Sequence, residues 1–192
     1  MQNLIDDIEA AVADTALAPL VAELAARDDV PTFTPRGPWK RDISRKLLDL
    51  SPWQVLPNLD KESAGAVISA LLLWNDDLHE SHEFSQDLPS QTGSYLHGIM
   101  HRREPDYGNG GYWFRRVGPH PMFGDLLETV KDLDADGVTS LGDGNGWDPF
   151  AMIDACRQAE REPNSAFGLR LREIQLAELL LLTRYCLAGG VA

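Results

Sequence analysis

The chain has 192 residues, enough for one domain with a substantial core, and its 43% hydrophobic content is too high for a disordered polymer. A formal charge of -13 argues against a nucleic-acid binder, which needs a basic face, and against adhesion to anionic lipid. The first residues lack the cationic and apolar regions of a signal peptide. The apolar run 176–182 is far too short to span a bilayer.

The pattern is helical almost throughout. Leu4, Ile5, Ile8, Ala11 and Val12 recur at helical spacing, and 17–26 continues it with a break or kink at Pro19. Residues 31–41 hold three prolines and Gly37 and read as an extended loop. A short helix follows over 43–50, and Ser51-Pro52 has the form of a cap with proline at the first helical position. One long helix is expected from Asp60 to Asp87, apolar through Trp74 and polar afterwards. Pro89 ends it, and Ser90 caps a helix over 91–104. Further helices are expected over 122–132, over 149–161 after Asp148-Pro149, and from Asn164 or Ser165 to 188, where Gly189-Gly190 stops the helix. No alternating strand pattern, repeat or linker is present. The reading is all-α: a single-domain, irregular helical bundle with a central antiparallel helix hairpin. Cys156 and Cys186 lie within helices without metal-type spacing, which reads as buried thiols in a reducing cytoplasm.

All five histidines fall between His79 and His120. Histidine is the usual ligand for transition metals and the usual proton carrier near neutral pH, so 76–120 is the candidate functional segment. If 60–87 and 91–104 form a hairpin, His79 falls level with His101 and Glu83 with His97. Asp76, His79 and Glu83 make one helical stripe; His97, His101 and Glu104 make another. Facing stripes of this kind hold metals in helical bundles. The candidate metal ligands are therefore His79, His97, His101 and Glu104, for a divalent transition metal, with His82 off the stripe. No named motif is complete: His79-Glu80-Ser81-His82 is one residue short of the zinc-protease pattern, and His97 to His101 has Gly98 where that pattern has glutamate. A metal-free polar pocket and a purely structural cluster remain open at this point.

Between His97 and Pro121 four arginines stand against two acids in an otherwise acidic chain. Arginine grips carboxylate or phosphate through a bidentate fork, and aromatic rings stack on planar groups. Arg115 and Arg116, with Trp113, are the candidate substrate-binding residues for a small anionic molecule. The equal alternative is an internal ion-pair network. His97, His101, Glu104 and His120 are the candidate catalytic residues. The loop 132–143 begins like a calcium-binding EF-hand, but Thr139 and Asp143 replace the expected aliphatic residue and glutamate, so a solvated acidic loop is the better reading.

The run from His97 to Asp106, followed by Tyr112 to Pro121, resembles a segment of a group of uncharacterised bacterial proteins. The likeness extends to residues 74–85 and to Trp147-Asp148-Pro149-Phe150. It implies a bacterial origin and no particular chemistry. Asn109-Gly110-Gly111 departs from the group's Asn-Ala-Lys form, and its glycines argue against a helix around residue 110. The functional expectation is a metal-assisted small-molecule enzyme acting on an anionic substrate through a His/Glu/Arg pocket. The alternative is a non-catalytic ligand-binding or protein-interaction module using the same pocket.

Overall fold

The computed structural model describes residues 1–192, apart from the side chain of Trp53. In chain order its helices are α1 (Gln2–Val12), α2 (Ala18–Ala25), α3 (Arg41–Asp49), α4 (Pro52–Val55), α5 (Lys61–Trp74) and α6 (Leu78–Ser85). They continue with α7 (Gln91–Arg103), α8 (Tyr107–Val117), α9 (Phe123–Leu133), α10 (Pro149–Ala159) and α11 (Ala166–Leu187). No strand occurs among the described residues, and the chain is a single all-α domain. No helix is long and apolar enough to cross a membrane.

Two helices carry the interior. α5 is buried on every side from Ser63 to Trp74, as an all-round apolar helix must be. α11 packs against α5, α1, α9 and α10, while α5 also receives α4, α6 and α7. The caps read from sequence form as expected: Ser63 N donates to Asp60, Gly93 N to Ser90, Phe150 N to Asp148, and Gly168 N to Ser165. Ser51 makes no such side-chain bond, and the segment it opens is the single turn of α4. Pro19 neither breaks nor kinks a helix. It sits in the first turn of α2, where its missing N–H costs nothing.

Two larger expectations also change. The long helix over 60–87 is two helices, α5 and α6, separated at Asn75–Asp77. Asn75 turns its amide outward to the proline-rich loop: Nδ2 donates to the Lys40 carbonyl and to Ser44 Oγ, both at 2.9 Å, and Trp39 N donates to the Asn75 carbonyl at 2.7 Å. Asp76 adopts φ +63°, a left-handed conformation that aspartate tolerates better than most residues. Its carboxylate joins Arg103 and Arg27, all three side chains being nearly inaccessible. Asp77 then caps α6 by accepting from Glu80 N.

The second change is α8, a helix where glycines argued against one. Gly110 and Gly98 allow α7 and α8 to touch: a Cβ at Gly110 would lie 3.4 Å from Arg102 N, and one at Gly98 would lie 3.1 Å from the Phe114 ring. Close packing offsets a helix-propensity cost of about 1 kcal/mol per glycine.

A fully buried triad ties α7 to α11. Glu178 accepts from Tyr95 Oη at 2.8 Å and pairs with Arg102 at 2.5 Å, with both ion-pair side chains inaccessible. The internal ion-pair network anticipated for the basic segment is thus real, and it is built by Arg102 and Arg103. Glu178→Ala should destabilise the protein by about 3–5 kcal/mol in urea denaturation, because it strands a buried guanidinium. Glu128→Ala, which breaks an exposed pair with Lys131, should change stability by about 0.5 kcal/mol or less.

Candidate metal centre

α7 presents His97 and His101 one turn apart on one face, and their Nε2 atoms lie 3.1 Å from each other. α6 supplies His82, whose ring meets His97 edge-on with centroids 4.6 Å apart and His101 at 5.6 Å. One nitrogen from each of the three lies within 4.8 Å of the others, so the three histidines can hold a metal ion. Nitrogens of a tetrahedral zinc site stand roughly 3.3 Å apart, given Zn–N bonds of about 2.0–2.1 Å. The His97–His101 pair has that spacing already, and His82 closes the set with a small adjustment.

The third histidine is therefore His82 and not His79. The stripe that selected His79 assumed unbroken helix from Asp76 onward. The break at Asn75–Asp77 resets the phase, leaving His79 exposed on the cleft wall outside the cluster and bringing His82 onto α7. The hint in the sequence was Asn75-Asp76-Asp77, three residues that prefer caps and turns, at the point where apolar helix gives way to polar.

Glu104 is also outside the cluster, as a neighbour. Its Oε2 lies 3.3 Å from His101 Nδ1. That carboxylate favours a proton on Nδ1 and so turns the Nε2 lone pair toward His97 and His82. His97 Nδ1 and His101 Nδ1 are buried without hydrogen bonds, an arrangement that leaves neither ring fully satisfied by protein alone. Burial lowers the His97 pKa to about 4, helped by the neighbouring His101 and His82. Burial lowers His101 too, against the opposing pull of Glu104. Both rings are neutral at pH 7, the form that ligates metal.

Trp113, on α8, stacks on His97 with ring centroids 3.9 Å apart, and the Arg116 guanidinium lies over that indole at 5.1 Å. Arg116 and Arg115 are exposed, and neither pairs with an acid among the described residues. A cleft of about 740 Å³ opens beside the cluster. Its lining includes His79, His82, Glu83 and Glu104 together with the loop 34–38, with neither Arg115 nor Arg116 in its wall.

His120 is not brought to the cluster. It is buried among Tyr95, Phe123 and Tyr185, where Nδ1 accepts from Met122 N at 3.3 Å and Nε2 lies 3.2 Å from Thr92 Oγ1. An acceptor Nδ1 requires the neutral ring with its proton on Nε2, so this histidine holds backbone and hydroxyl in place. The acidic loop likewise finds its partners within the protein. Asp134 accepts from Thr139 N, Thr139 Oγ1 and Ser140 N, and Arg170 pairs with both Asp134 and Asp136. Two of the three leading calcium-type ligands, Asp134 and Asp136, are thereby occupied.

Burial lowers the His120 pKa to about 4. A group depressed in the folded state is protonated first in the unfolded chain. Stability linked to His120 is therefore complete above the unfolded value near 6.5 and drains away as pH falls toward 4. In an NMR titration the His120 imidazole should stay neutral at pH 5, and His120→Gln should flatten the stability profile between pH 6.5 and 4. A His120 midpoint above 6 would contradict this. Comparison with family models, with curated proteins and with solved structures returned no match.

Proposed function

We propose that His82, His97 and His101 bind a divalent transition metal and that the protein is a metal-assisted enzyme acting on a small anionic molecule in the adjoining cleft. The observation that carries this reading is the convergence of three imidazoles from two helices, two of them with Nε2 atoms 3.1 Å apart. Neutral imidazole suits zinc, iron, nickel and copper. A metal held by three protein ligands keeps a coordination position open and supplies Lewis acidity there.

The surrounding residues divide the remaining work. Glu104 orients His101 and accepts its Nδ1 proton in a hydrogen bond once the ring is drawn onto the metal. Trp113 covers one face of His97 and keeps water from it. His79 and Glu83, exposed on the cleft wall, are placed to exchange protons with a bound molecule.

Protein purified without a histidine tag should carry about one equivalent of a divalent metal, or take one up from zinc, manganese or iron. His97→Ala with His101→Ala should abolish uptake, since one remaining imidazole does not make a tight site. His79→Ala should leave it intact. Copper(II) should quench part of the tryptophan fluorescence, and Trp113→Phe should remove that part. Protein that remains metal-free after all three incubations would defeat the reading. With metal bound, turnover in a screen of phosphate and carboxylate esters separates an enzyme from a binding module.

A further inference from the structure

The cleft beside the histidines is also lined by the loop 34–38, and that loop has a chemistry of its own. The loop 34–38 brings Arg36 into the same cleft lining as His82. Arg36 is exposed to solvent and pairs with no acid among the described residues, in a chain with 30 acidic residues against 17 basic ones. Its setting is firm. Phe33 is buried, Arg103 donates to the Thr32 carbonyl at 3.1 Å, and Trp39 N is tied to Asn75. Arg103 also lines the cleft. Its terminal nitrogens are taken by Asp76 and by the Leu73 and Thr32 carbonyls, whereas its buried Nε–H has no partner.

The charges of this lining decide when an anion can enter. Arg36 and Arg103 stand against Asp76, Asp77, Glu83 and Glu104, so the cleft lining carries two more formal negative charges than positive. A divalent ion on the histidines cancels that excess. That removes the net repulsion an entering anion would otherwise meet.

We propose that this cleft is an oxyanion pocket, in which Arg36 grips a phosphate or carboxylate of the substrate while the rest of the molecule extends toward His82, and that the pocket accepts its anion only with metal bound. The proposal rests on the metal-site reading given above. It places the anion-binding arginine on the proline-rich loop, in the cleft that His82 also lines. The loop then serves to carry a fork-shaped donor on a short tether anchored at both ends. Arginine suits this position because its planar guanidinium matches both carboxylate and phosphate.

The test uses the intact chain and two probe anions, methylphosphonate and acetate. Zinc uptake is measured first, by titration, in wild type, Arg36→Ala, Arg36→Lys and Arg115→Ala. Calorimetric titration with each probe follows, on zinc-loaded and zinc-free protein. All four proteins should bind zinc alike. Zinc-loaded wild type and Arg115→Ala should bind at least one probe, Arg36→Ala should bind it at least tenfold more weakly, and Arg36→Lys should fall between. Zinc-free wild type should bind neither. By linkage, the favoured probe should tighten zinc binding by the same factor as zinc tightens the probe. The stronger probe tells phosphate from carboxylate. If wild type takes up zinc but binds neither anion, if Arg36→Ala binds as wild type does, if Arg115→Ala loses binding, or if zinc-free protein binds as tightly, the oxyanion pocket is refuted while the metal site stands. If wild type takes up no zinc, both readings fall together.

Discussion

The carboxylate of Asp76, buried between Arg27 and Arg103, is the constraint on which the functional half of the molecule depends. A single buried anion facing two cations is sustained only if each charge keeps its partner. Asp76 can reach both arginines because its backbone leaves the helical region, at a cost on the order of 1 kcal/mol. That departure ends α5 and restarts the chain as α6 with a new rotational phase, which turns His82 onto α7. The same arginine that holds Asp76 also holds the Thr32 carbonyl. One residue thus joins the end of the core helix, the C-terminal end of α7 and the loop that forms the outer wall of the cleft.

This linkage explains which parts of the fold were legible in the sequence. Helices over 91–104, 122–132 and 149–161 and the final helix announced themselves through local signals: an apolar repeat, a serine or aspartate cap, a proline in the first turn. The break at Asn75 left only a faint local sign, Asn75-Asp76-Asp77, because most of what holds it is long-range. Ser44, Lys40, Arg27 and Arg103 are distant in sequence, and no window around residue 75 contains them. Gly108, Gly110 and Gly111 misled for a related reason. Their low helix propensity is a property of the isolated segment, while the close approach of α8 to α7 at Gly110 is a property of the pair.

The candidate site shows the same division. His97 and His101 are four apart on one helix, so their pairing follows from the helical repeat alone. The third histidine depends on the phase of a second helix, and one unseen turn exchanged His79 for His82. The arginines divide by burial, which composition does not reveal. Arg102 and Arg103 serve the interior, Arg116 covers the indole that covers His97, and Arg36, from a loop that sequence patterns mark only as irregular, faces the cleft.

The placement of α11 has a consequence for synthesis on the ribosome. The apolar stripe of α1, formed by Leu4, Ile8 and Val12, packs against α11 and α2 and is fastened there by the ion pair of Asp7 with Arg184. α2 is available at once, but α11 begins at Ala166. At elongation rates of about 5–20 residues per second, the stripe waits on the order of ten seconds for its main partner. The core helix α5 can meet α4, α6 and α7 earlier, but its face toward α11 stays uncovered until then. Vectorial folding therefore cannot consolidate this domain from its N-terminus. The α6–α7–α8 segment, whose contacts are between sequence neighbours, can organise first, and the interior closes only when the last helix arrives. Exposure of these apolar faces until α11 has emerged is set by the order of helices along the chain and not by their individual stabilities.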